Sequence, residues 1–136
     1  MVRAGFGVST AIKTFALDRL TTLDITPIKF KPSPDFDIEE QFRYCFGIIS
    51  PTDEEPQEII LSFTPFQGKY IKSLPLHESQ KILIDDKNEL RIKLKLFVTH
   101  DLIMELLSFG DNMKVLQPDS LILHIRTAHK TAYQQY

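Results

Sequence analysis

The sequence predicts an α+β domain of βαββαβ order, closed by an extra C-terminal helix and preceded by a β-rich N-terminal arm. Three observations carry this. Leu90, Ile92, Leu94, Leu96 and Val98 alternate with Glu89, Arg91, Lys93, Lys95 and Phe97, the period-two pattern of a half-buried antiparallel strand. Helix-period apolar stripes flank it, Phe66-Tyr70-Leu74 before and Leu102-Ile103-Leu106-Leu107 after. Helix stop and start signals stand at the edges of those stripes: Pro75, Gly110 and Pro118.

Residues 1–30 read as short strands. Thr14, Ala16 and Asp18 alternate with Phe15, Leu17 and Arg19, and Leu23, Ile25 and Ile28 follow at strand-like spacing. Residues 31–57 read as a linker. Lys31-Pro32-Ser33-Pro34 is stiff, because proline fixes φ and restricts the residue before it. Asp35 or Asp37 can then cap a short helix bearing Ile38, Phe42 and Cys45 or Phe46 on one side. Pro51 to Pro56, with Asp53-Glu54-Glu55, is an acidic surface loop and the expected internal boundary.

Residues 58–136 carry the regular rhythm. Ile59 to Phe63 is a strand, Phe66 to Leu74 a helix ended by Pro75, and Gln80 to Asp85 a second strand. Asp85-Asp86-Lys87-Asn88 makes a polar hairpin turn into the alternating strand at Leu90. Thr99 is placed to cap the next helix and Gly110 to end it in the left-handed conformation. Lys114-Val115-Leu116 is a short last strand, and Pro118 opens a helix with Leu121, Ile122, Ile125 and Ala128 on its buried stripe. This order is the split βαβ, or ferredoxin-like, arrangement.

Composition excludes several classes. With 16 basic and 18 acidic residues the net charge is −2, so no global field draws polyanions and any nucleic-acid surface is a local patch. The single cysteine, Cys45, rules out an internal disulfide and fits a reducing, cytoplasmic setting. No apolar run approaches the roughly 18–20 residues that span a bilayer. His100, His124 and His129 lack metal-pair spacing, so no metal or other cofactor is expected. Glycine-rich phosphate loops and a nucleophile elbow are missing, and Cys45 falls on an apolar stripe, so no enzymatic activity is expected.

Three segments resemble one family. Phe15-Ala16-Leu17-Asp18-Arg19-Leu20 resembles the motif that closes the WYL domain of bacterial transcriptional regulators. The run from Tyr70 to Gln80, with Leu76-His77-Glu78-Ser79-Gln80 at its end, resembles the segment after the first helix of the extension that follows that domain. Leu106-Leu107-Ser108-Phe109-Gly110 and Val115-Leu116-Gln117-Pro118-Asp119-Ser120-Leu121 look like the extension's closing pattern. Such regulators join a winged-helix DNA-binding domain, an SH3-like WYL barrel that senses a ligand, and a ferredoxin-like extension. The resemblance therefore implies that the first 30 residues are the end of a WYL barrel, and that the chain is a homodimeric regulatory module. It departs from the family pattern in having no tryptophan and no helix-turn-helix upstream of residue 14. DNA binding is thus expected only through an N-terminal domain that is not in this sequence, and a truncated product with no independent activity is a further alternative.

The candidate ligand-binding residues follow from both readings. The resemblance places Arg19 toward the ligand groove, where a planar donor fork suits a phosphate or carboxylate. Arg91, Lys93 and Lys95 project together from one strand face about 7 Å apart, which suits the phosphates of a nucleotide or single-stranded nucleic acid. The bland alternative for these three is a solvated sheet face. His77 and Gln80 are expected to hydrogen-bond within the helix-to-strand turn, with interface or ligand contact as the alternative.

Overall fold

The computed structural model describes residues 17–29, 31, 34, 37–51 and 53–136. The chain divides into two units, 1–37 and 38–136.

In the first unit the expected β arm is not found among the described residues. Leu17–Arg19 forms a single 3-10 turn, closed by the Leu20 N–H donating to the Leu17 carbonyl at 3.2 Å. Leu23, Ile25 and Ile28 stay exposed and unpaired in any ladder. An extended segment needs a neighbour to satisfy its N–H and C=O groups, and no described residue between 17 and 29 belongs to a strand. Pro27 removes a further donor. The alternation at Thr14 to Ala16 lies outside the described residues.

The second unit begins with α1 (Ile38–Phe42) and continues as β1 (Gln57–Phe63), α2 (Pro65–Ser73), β2 (Lys81–Asp85), β3 (Leu90–Leu96), α3 (His100–Ser108), β4 (Met113–Gln117) and α4 (Asp119–Tyr133). The sheet order is β2-β3-β1-β4, and every neighbouring pair is antiparallel. This is the expected βαββαβ order with its terminal helix. β3 is a central strand, which explains why its alternation is the cleanest in the sequence: one face is sealed while the other is wet.

The sealed face holds the core. Ile59, Leu61 and Phe63 of β1 and Leu90, Ile92, Leu94 and Leu96 of β3 are almost wholly excluded from solvent. Against them pack Ile71 of α2, Leu102, Ile103 and Leu106 of α3, Met113 and Val115 of β4, and Leu121 and Ile125 of α4. Burying each such side chain contributes about 1.5–3 kcal/mol, so this layer supplies the main term in stability.

Three local expectations are refined. The Phe66-Tyr70-Leu74 stripe does share one face of α2, but that face points to solvent, because Gly68 and Ile71 are the buried residues. Thr99 occupies the N-cap of α3, yet its hydroxyl donates to the Asp101 carboxylate and makes no capping bond. α1 ends at Phe42, so Cys45 is not on a helix. It is nevertheless buried, with its thiol donating to the Gln41 carbonyl at 3.8 Å. Gly110 takes the left-handed φ of +56° that the end of α3 requires.

Candidate functional site

The alternation of β3 places Arg91, Lys93 and Lys95 on the face of the sheet opposite the core, with Glu58, Ile60 and Ser62 of β1 beside them. Register extends this face into cross-strand rows. Ile84, Arg91, Ser62 and Lys114 form one row across all four strands. Lys81, Lys93, Ile60 and Gln117 form the next, and Lys95 stands opposite Glu58 in a third. The face thus carries five cations, Lys81, Arg91, Lys93, Lys95 and Lys114, against the two carboxylates Glu58 and Glu89.

Both carboxylates are engaged. Arg91 donates through Nη2 to Glu89 Oε1 at 2.6 Å and through Nε to Oε2 at 3.3 Å. Ser62 Oγ donates to Glu89 Oε2 at 2.5 Å. These hydrogen bonds, that of Ser62 foremost, hold the Glu89 carboxyl below its ordinary range and keep it ionised. Lys93 Nζ reaches Glu58 Oε2 at 2.9 Å. That contact turns its charge away from Lys81, which lies directly opposite and would otherwise repel it.

Lys95 is held differently. Its Nζ lies 5.0 Å from the centre of the Tyr44 ring, within cation–π range. Tyr44 meets Phe97 edge-on at 6.2 Å, and the Phe97 N–H donates to the Tyr44 carbonyl at 2.9 Å. Lys81, Lys95 and Lys114 are the cations of this face without a described salt bridge. Sequence reasoning named the β3 basics but missed Lys81, Lys114 and Tyr44. The first two are brought in only by register, and Tyr44 only by docking of a loop.

At one end of the face a shallow cleft of about 160 Å³ is lined by Ser62, Thr64, Asn88, Glu89, Asn112 and Lys114 among others. Thr64 organises it. Its N–H donates to the Asn112 carbonyl, and its hydroxyl donates to Asn112 Oδ1 while accepting the Gln67 N–H that starts α2.

His77 and Gln80 lie away from the basic rows, in the connection between α2 and β2, and both make local hydrogen bonds there. Gln80 Oε1 accepts the Leu76 N–H at 3.0 Å while its Nε2 donates to the Ile71 carbonyl at 3.2 Å. His77 Nδ1 accepts the Ser79 N–H at 3.1 Å. Burial is the main cause that pushes the His77 imidazole below its ordinary pKa. Arg19 belongs to the first unit, exposed at the end of the 3-10 turn. Cys45 is held as a protonated thiol, its pKa raised chiefly by burial, the reverse of an activated nucleophile. Among the described residues no cluster of His, Cys, Asp and Glu is arranged to hold a metal ion. No helix among them is long and apolar enough to cross a membrane.

The family model of the WCX domain matches residues 55–133, from just before β1 to the last residue of α4. The chain belongs to the WCX-domain family. WCX domains are the C-terminal extension typical of WYL-domain regulators, and a WYL domain itself is not detected. No curated protein matches the chain. The WCX match contains His77, Gln80, Arg91, Lys93 and Lys95 and excludes Arg19 and Tyr44.

Proposed function

We propose that this chain is the C-terminal regulatory and self-association module of a WYL-type bacterial transcriptional regulator, acting in the cytoplasm. Membership of the WCX family is the observation that carries the reading. Two surface features support it. Phe66, Tyr70 and Leu74 remain 65%, 58% and 79% exposed on one face of α2, with the Phe66 and Tyr70 rings packed edge-on at 5.5 Å. A preformed apolar ridge of this kind is what association between subunits covers. β2 is an edge strand with Ile82 and Leu83 half exposed, and such edges invite pairing with another chain.

In this reading the module does not bind duplex DNA itself. A ligand captured near Arg19, within a complete barrel, changes how the extension packs against a partner subunit and so repositions N-terminal DNA-binding heads. Light scattering of the purified chain from low to high micromolar concentration tests it. A homodimer is expected, reverting to monomer when Phe66 and Tyr70 are both changed to Ser. A wild-type chain that stays monomeric at high micromolar concentration overturns the self-association.

The basic rows favour a second reading, capture of a nucleotide-like or single-stranded nucleic-acid ligand on the open face. Five cations on three of the four strands exceed their carboxylate partners there, although the chain as a whole is slightly acidic.

A further inference from the structure

The basic face ends in aromatic side chains. Phe97 follows Arg91, Lys93 and Lys95 in the same alternation, one residue past the end of β3. Tyr44 meets Phe97 edge-on at 6.2 Å, and Lys95 Nζ lies 5.0 Å from the Tyr44 ring centre. Lys95 is exposed and has no described salt bridge, so its ammonium is available to an anion. Arg43 brings a second exposed cation 6.0 Å from the same ring, its guanidinium paired with Glu40 at 2.8 Å.

The backbone around Tyr44 holds this ring in place. The Tyr44 carbonyl accepts the Phe97 N–H at 2.9 Å, past Lys81, the first residue of β2 to pair with β3. The next three residues anchor the loop. Cys45 is buried, Phe46 packs against the core, and Gly47 lies so close to the Asp101 carboxylate that a β-carbon there would clash. The Tyr44 side chain is nonetheless only half-buried. A preformed, accessible ring of this kind costs a ligand little in ordering.

We propose that Tyr44 is the stacking platform of the basic face, and that the ligand captured there is a single-stranded nucleic acid rather than a plain polyanion. This rests on ligand capture by the basic rows, the second reading of function. From Arg91 to Phe97 the face runs about 20 Å at about 3.3 Å per residue, the length of several nucleotides. The rows of cations take backbone phosphates, and the aromatic end takes a base. A duplex keeps its base faces stacked on one another, and a plain polyanion has none to offer. A phosphate draws the Lys95 ammonium off the Tyr44 ring, and a base fills the face it leaves. The exchange is favourable because stacking on an aromatic ring outweighs a cation–π contact at an exposed site.

Fluorescence anisotropy at low salt tests this, with a labelled oligothymidylate and an abasic deoxyribose-phosphate strand of the same length. The wild type should bind the thymidylate about 5- to 150-fold more tightly, the scale of one stacked base. Tyr44→Leu should lose that preference and leave binding of the abasic strand unchanged. Tyr44→Trp gives a readout that does not depend on affinity, since the chain has no tryptophan of its own. Its emission should be quenched by the thymidylate and not by the abasic strand. Equal binding of both strands by the wild type overturns the platform and leaves capture by charge alone. A preference that survives Tyr44→Leu, or thymidylate binding to Tyr44→Trp without quenching, also overturns it. Binding of neither strand overturns the capture reading and the platform with it.

Discussion

Gly68 of α2 lies directly on Leu90, the first residue of β3: a β-carbon at position 68 would come within 2.8 Å of the Leu90 Cβ. The helix approaches the sheet this closely because position 68 has no side chain. Intrinsic propensity alone favours alanine over glycine in a helix interior by about 1 kcal/mol. The contact reverses that sign. Gly68→Ala should destabilise the chain by about 1–3 kcal/mol, the usual cost of overpacking a close-packed interior, read as a lower midpoint in urea unfolding. A midpoint equal to or above the wild type would show that α2 rides higher on the sheet.

Gln80 spans the α2–β2 connection with both ends of its amide, accepting from Leu76 and donating to the Ile71 carbonyl. Gln80→Leu conserves bulk but strands both backbone groups. A loss of about 1–3 kcal/mol is expected in chemical unfolding. Gln80→Glu separates the halves: a carboxylate can still accept from Leu76 but opposes the Ile71 carbonyl. It should therefore recover no stability at neutral pH and some below pH 4, once the carboxyl protonates and can donate. Equal stability of all three proteins at neutral pH would show that the amide bonds are not maintained in solution.

These two residues also mark where sequence reasoning succeeds and where it stops. β3 is legible because a central strand with one wet face must alternate, and Gly110 because helix ends call for a left-handed residue. The hydrogen-bonding role expected of His77 and Gln80 was legible too, since it is local. The orientation of α2 was not. Its apolar stripe, Phe66-Tyr70-Leu74, is the exposed side, and the buried side is marked by a glycine that carries no hydrophobic signal. The expected N-terminal strands are not found among residues 17–29: Leu23, Ile25 and Ile28 have strand spacing, while pairing depends on partners that spacing cannot supply. Of the basic face only Arg91, Lys93 and Lys95 could be seen. Lys81, Lys114 and Tyr44 join it through register and loop docking, both non-local.

Glu89 gives the sheet end a pH dependence with a definite sign. Hydrogen bonds from Ser62 and then Arg91 favour its carboxylate, so its folded pKa lies below the ordinary 4.5. In acid the unfolded chain binds the proton first. The stability that Glu89 contributes is present above pH 4.5 and is lost as pH falls through the folded pKa. Thermal unfolding at pH 6.5 and pH 3 should show a smaller drop in Tm for Glu89→Gln than for the wild type. Identical drops would mean that the Ser62–Glu89–Arg91 cluster does not persist in water.

The open face offers a discriminating test of ligand capture, and the ion pairs decide which residues to change. Reversing Arg91 or Lys93 would set a new acid beside Glu89 or Glu58, so lost binding could reflect a damaged sheet. Lys81, Lys95 and Lys114 have no described salt bridge, and their charges can be reversed with smaller structural effect. Exposed substitutions of this kind usually change stability by about 0.5 kcal/mol or less, although Lys95 also gives up its contact with Tyr44. If the face captures single strands, the wild type should bind a short fluorescent oligonucleotide at low salt. Three phosphate contacts would give a log–log salt slope of about −2, which the triple Glu variant should abolish while retaining the wild-type unfolding midpoint to within about 1 kcal/mol. No binding by the wild type at low salt would remove the ligand-capture reading and leave the rows as a solvated face. Binding that survives triple reversal would place the contact elsewhere on the chain.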